Sequence, residues 1–173
     1  MDEELSRTVK AALIQENPQT HELVAEPAAC VMLARRFGLP GIAALRGVFT
    51  LRHERGGVIA ATLTMRARVT QTCVVTLEPF ETAIAEEAEL RFVPESMFSE
   101  DDEEAAFSPE TLDDPDELPY ANGIIDLGAA LAEQLALALD PYPRKPGAAL
   151  PAEASDDSAH PFAELKNRVA KPD

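Results

Sequence analysis

Residues 41–75, GIAALRGVFTLRHERGGVIAATLTMRARVTQTCVV, decide how the rest of the chain is arranged. Leu45, Phe49 and Leu51 alternate with Arg46, Thr50 and Arg52. After Arg55-Gly56-Gly57, the odd positions Ile59, Ala61, Leu63, Met65, Ala67 and Val69 alternate with Thr62, Thr64, Arg66 and Arg68. Such alternation marks a strand with one buried face. Both strands bury odd numbers, so odd must face odd across the ladder, which excludes a two-residue turn. A three-residue loop centred on Gly56, with Glu54 opposite Val58, satisfies the parity and belongs to the glycine-bearing hairpin class. The same register sets Arg46 opposite Arg66.

Like charges directly opposite each other on a sheet are unfavourable, so that polar face needs an anion. Two are open at this point. The segment Phe80 to Val93 reads as a further strand, with Phe80, Ile84, Ala88, Leu90 and Phe92 on one side and Glu81, Glu87 and Glu89 on the other. Those glutamates are one candidate and an RNA phosphate is the other.

Outward from this core, Ser6 to Ile14 reads as a strand, Gln15-Glu16-Asn17-Pro18-Gln19 as a turn and His21 to Ala25 as a second strand. Pro27 suits a first helical position, and Gly38 with Pro40 form a stop, which predicts a helix over Pro27 to Phe37. It buries Cys30, Leu33, Ala34 and Phe37 and turns Arg35 and Arg36 outward. A second helix runs from Ile125 to Asp140, with Ile124, Leu127, Leu131, Leu135 and Ala138 on one face and Glu133 pointing away. Asp140 precedes Pro141 and so ends that helix, while Pro143 and Pro146 hold Tyr142, Arg144 and Lys145 on a stiff strip. The expected class is α+β: an antiparallel sheet packed by two helices. A partly closed barrel plugged by the same helices is the alternative, since strand parity and helix faces look alike in both.

The 173 residues suit a single domain, with a formal charge of −16. Eleven acidic residues, from Glu95 through Glu117, stand with no lysine or arginine among them, and setting them aside takes the charge from −16 to −5. Residues 95–118 therefore read as a long, acidic, mobile loop, and 148–160 as a flexible linker. Pro161 to Val169 suits a short terminal helix anchored by Phe162 and Leu165. The acidic start, Met1-Asp2-Glu3-Glu4-Leu5, is unlike a secretory signal, and no run is apolar enough to span a membrane, so the expected location is the cytoplasm. Cys30 and Cys73 read as small core thiols. The chain carries no phosphate-binding glycine loop, nucleophile elbow or metal-spaced histidine pair, and catalysis is not expected.

Three blocks carry a resemblance: Thr72-Cys73-Val74-Val75-Thr76-Leu77-Glu78-Pro79-Phe80, the second helix with its DPYPRKPG tail, and the closing Pro161-Phe162-Ala163-Glu164-Leu165-Lys166. In this order they resemble the YceD family of bacterial large ribosomal RNA subunit accumulation proteins. The resemblance implies a non-catalytic role in the synthesis, processing or stability of 23S ribosomal RNA and in large-subunit assembly. Many relatives carry Cys-x-x-Cys where this chain has Cys73-Val74-Val75-Thr76, and some add C-terminal cysteines that complete a metal site. With only Cys30, Cys73, His21, His53 and His160 available, at spacings that fit no zinc pattern, no metal or other cofactor is expected. If the protein meets RNA, whether free or in a precursor particle, the candidate contacts are Arg46, Arg52, Arg66, Arg68, Arg144 and Lys145. If it is instead an acidic module or chaperone for a basic ribosomal protein, the candidates are Glu100, Asp101, Asp102, Glu103, Glu104, Asp113, Asp114, Asp116 and Glu117, with a groove around Tyr120 and Tyr142. Neither DNA nor a membrane is an expected partner.

Overall fold

The hairpin forms as its parity requires. In the computed structural model, which describes residues 5–97 and 115–149, β3 (Gly41–His53) pairs antiparallel with β4 (Ile59–Thr72), and Arg46 lies opposite Arg66. The Glu54 N–H donates to the Val58 carbonyl at 2.7 Å, closing the loop. Gly56 takes φ 75°, the left-handed conformation that such a loop needs and that glycine adopts without penalty.

Before the hairpin come β1 (Thr8–Lys10), a 3-10 turn (Ala11–Leu13), β2 (Gln19–Val24) and α1 (Pro27–Arg36). After it come β5 (Pro79–Pro94), β6 (Asp116–Tyr120), β7 (Ile124–Asp126) and α2 (Leu127–Ala138). The main sheet has the order β2-β3-β4-β5-β6 and stays open rather than closing into a barrel; β1 and β7 form a separate antiparallel pair. All neighbours in the main sheet are antiparallel except β5 and β6, which run parallel. The architecture is α+β.

Several boundaries differ from those expected of the sequence: β2 starts at Gln19 rather than His21 and ends at Val24 rather than Ala25, α1 ends at Arg36 rather than Phe37 and α2 at Ala138 rather than Asp140, and three further differences have a visible cause. The first strand is three residues rather than Ser6 to Ile14, because its partner β7 is equally short and the chain turns at Ala11, whose N–H bonds the Gly123 carbonyl at 2.9 Å. The acidic stretch does not remain loop to residue 118: Glu95–Met97 is a 3-10 turn and Asp116–Tyr120 adds to the edge of β5. Backbone pairing there overrides an unpromising composition, and an edge position tolerates Pro119. The second helix starts at Leu127, since Asp126 caps it: its Oδ1 accepts the N–H groups of Gly128 at 2.9 Å and Ala129 at 3.2 Å. Ile124 therefore belongs to β7 and is 45% exposed, and the neighbouring Ile125 is the buried residue. The rest of the acidic stretch (98–114) and residues 150–173, with the expected linker and terminal block, lie outside the described residues.

Both helices add to the core on the odd face of the sheet, where Leu45, Phe49, Leu51, Leu63 and Met65 meet Leu33 of α1 and Leu127, Leu131 and Leu135 of α2, all essentially without exposure. Gly47 makes room for α2, because a Cβ there would stand 2.6 Å from Leu131 Cδ1. Gly128 lets the helix start against the N-terminal segment, where a Cβ would collide with the Leu5 carbonyl. In α1, Ala29, Cys30, Leu33 and Ala34 are buried and Arg35 and Arg36 exposed, while Phe37 is only partly buried, its ring lying 5.7 Å from the Arg36 guanidinium.

Candidate functional site

From Ala44 onward in β3, past a bulge that leaves Ile42 on the buried side, and throughout β4, the core side chains take odd positions and the even positions build the opposite face of the sheet, over which neither described helix packs. Alternation makes Arg46, Arg66 and Arg68 neighbours there. The row through Arg46 reads Val24, Arg46, Arg66, Ala85 across β2, β3, β4 and β5, and the next row reads Ala44, Arg68, Ala83. Arg66 and Arg68 thus stand about 6.6 Å apart along one strand, with Arg46 on the strand beside them.

The compensating anion is not where the sequence pointed. Arg46 pairs with Glu22 on β2, Nε to Oε1 at 2.9 Å. Glu81, Glu87 and Glu89 sit opposite Thr70, Thr64 and Thr62, whereas Arg66 and Arg68 face Ala85 and Ala83. Among the described residues neither Arg66 nor Arg68 has a hydrogen bond or ion-pair partner. Two adjacent guanidiniums therefore face solvent over a floor of alanine.

The other expected contacts fall elsewhere. Arg52 lies six residues along β3 from Arg46, about 20 Å away, where Glu54 accepts from its Nη2 at 2.8 Å and lies 3.8 Å from Arg91. Arg144 and Lys145 belong to the segment after α2, which is strapped across the β4–β5 turn. Gln71 Nε2 donates to the Asp140 carbonyl at 3.0 Å, the Val74 N–H to the Pro143 carbonyl at 2.9 Å, and Lys145 Nζ to Glu78 Oε2 at 2.9 Å. Two of the sequence blocks that carry the resemblance thus fold onto each other. Arg144 is exposed there, about 17 Å along β4 beyond Arg68 if measured to Cys73. No groove joins the tyrosines: the Tyr120 hydroxyl donates to the Gly57 carbonyl at 2.7 Å, at the opposite end of β4 from Tyr142. Asp116 and Glu117 are exposed on β6, while Glu100, Asp101, Asp102, Glu103, Glu104, Asp113 and Asp114 lie outside the described residues.

The turn under the strap has its own electrostatics. Cys73 Sγ accepts the N–H groups of Val75 and Thr76, each at 3.4 Å. The Thr76 hydroxyl above all, then the backbone N–H groups of Lys145, Thr76 and Val75, hold the thiol down to about 7 against the opposing effect of burial. Glu78 raises the Lys145 pKa by accepting its hydrogen bond and by its charge. Burial alone pushes the Cys30 thiol up. Sequence reasoning missed this network, although the Cys-x-x-Thr spacing was its one visible sign. Among the described residues no three histidine, cysteine or carboxylate side chains converge, and no helix is long and apolar enough to cross a membrane.

No curated protein and no solved structure shows significant similarity to the chain. The profile of one family, described as large ribosomal RNA subunit accumulation protein YceD, matches residues 61–167, a span that takes in Arg66, Arg68, the Cys73 turn and the strap. Covering more than half of the sequence, that match places the chain in the YceD family, whose role lies in the accumulation of large-subunit ribosomal RNA.

Proposed function

We propose that this protein supports large-subunit ribosomal RNA by holding it, free or within a precursor particle, on the arginine strip of β3 and β4, without a catalytic step of its own. One observation carries the reading: Arg66 and Arg68 are adjacent, solvent-facing and opposite alanines rather than glutamates. Guanidiniums with no anion partner among the described residues, in a chain of formal charge −16, are a local departure from its overall sign, and guanidinium is well matched to phosphate. Contacts of this kind position a backbone and read no sequence.

The test is complementation. Cells depleted of the protein should show a fall in the ratio of large to small subunits on a sucrose gradient, with the tagged chain in precursor fractions. Wild type should restore the ratio, and Arg66→Glu/Arg68→Glu should not, despite wild-type levels of folded protein. Full rescue by the double variant would reject the strip as the functional surface. The strongly acidic composition favours a second reading, a binding module for a basic ribosomal protein. In that case association with particles survives RNase and is lost on neutralising Glu100 to Glu104.

A further inference from the structure

Resting on the reading of the arginine strip as an RNA-contacting surface, we infer that the RNA it takes is base-paired, held by the phosphates of one strand, rather than single-stranded RNA with splayed bases. Among the described residues the face carries no aromatic side chain. Around the arginines it presents Val24, Ala44, Ala83 and Ala85, with Thr64 one row further along. Sheets that bind single strands offer rings on which bases stack, and that stacking is a main source of their affinity. No described residue of this face offers a ring to an unstacked base.

What the face offers instead suits the outside of a helix. The small side chains beside Arg66 and Arg68 let a rigid backbone ridge approach closely, and the spacing of the two arginines is comparable with that of successive phosphates on one strand. Next along β4, Thr64 and Thr62 lie opposite Glu87 and Glu89, so the phosphate-facing stretch ends at Arg66. Glu22, Glu87 and Glu89 border the strip and repel a second strand of phosphates. The contact is therefore narrow and blind to sequence, a few phosphates wide.

The full chain is titrated by fluorescence anisotropy against an RNA duplex of mixed sequence, about 20 base pairs long, and against an unstructured uridine-rich strand of the same length. The duplex should bind at least 10-fold more tightly, with log K falling on log salt with a slope of about −2, as expected for the two phosphates that Arg66 and Arg68 neutralise. Replacing Arg46, Arg66 and Arg68 by alanine should lower duplex affinity at least 10-fold and flatten that slope; Arg66→Gln/Arg68→Gln serves as a milder variant, and a urea midpoint reports folding of both. A single strand bound as tightly as the duplex, in an arginine-dependent way, would overturn the base-paired preference and leave the RNA surface standing. Failure of both RNAs to bind, or binding indifferent to the arginines, would overturn both.

Discussion

Replacing Asp126 by alanine should destabilise the protein by about 2 kcal/mol, and replacing it by asparagine by much less. One carboxylate oxygen, Oδ1, accepts three backbone N–H groups: Gly128 at 2.9 Å, Ala129 at 3.2 Å and Arg7 at 3.1 Å. The other, Oδ2, accepts the exposed Ser6 hydroxyl at 3.2 Å. Loss of the helix cap costs about 1 kcal/mol. Losing the bond that fastens Arg7 beside β1 adds up to about 1 more, since water reaches that exposed N–H and replaces part of it. For a chain of this length, 2 kcal/mol corresponds to a fall in Tm of roughly 4–8 °C. Asparagine keeps an oxygen where Oδ1 stands and can turn its NH2 toward Ser6, so all three backbone bonds survive and the cost should stay below about 1 kcal/mol. Urea unfolding followed by circular dichroism measures both, with a shifted midpoint at constant slope. Asparagine as damaging as alanine, or alanine with no measurable cost, would refute the account of Oδ1 as the joint between the N-terminal segment and α2.

Leu131→Ala, at a fully buried position over Gly47, should cost about 2–5 kcal/mol by the same urea assay. Leu77 holds φ 60° with 77% of its surface exposed, so Leu77→Gly loses little packing, relieves the left-handed strain and should raise stability by up to about 1 kcal/mol; a lower midpoint would show that its side chain matters. Folding lowers the Cys73 pKa to about 7, below the unfolded thiol's value of about 8.5. The folded chain therefore binds fewer protons between those values, so this stabilisation is lost as pH falls through about 7 and is complete above the unfolded pKa. The Tm advantage of wild type over Cys73→Ser should then grow from pH 6 to pH 9, and a constant difference would sink the thiolate account. Metal analysis of the purified protein should give no stoichiometric zinc, since this chain has threonine at the fourth position of its Cys73–Thr76 turn.

The sheet's central register was legible because parity and a single glycine-bearing loop leave one solution, and Arg46 opposite Arg66 follows from it. The β4–β5 register was not. Parity requires only that odd positions of β4 meet even positions of β5, and the turn between them is too long for that to fix its length. A shift of two residues would bring Glu87 opposite Arg66 in place of Ala85, so whether the arginine is neutralised by its own chain depends on a turn that alternation does not specify. Ile124 misled for a related reason: a helical wheel cannot distinguish the last residues of a strand from the first of a helix, and the Asp126 cap decides. The parallel strand at Asp116–Tyr120 was invisible because its stability comes from an available edge rather than from its own composition.

The position of α2 has a consequence for how the protein is made. The long strands are complete once Pro94 has been synthesised, but Leu127, Leu131 and Leu135, which complete the cover of their apolar face, arrive only as the ribosome reaches Ala138. At roughly 5–20 residues per second, that gap lasts roughly 2–9 s. For those seconds the nascent chain carries part of its greasy sheet face uncapped, and its N-terminal strand has no partner until β7 emerges. Completion of the fold therefore waits for α2, and a chain truncated ahead of α2 should behave as an aggregation-prone fragment rather than as a smaller working domain.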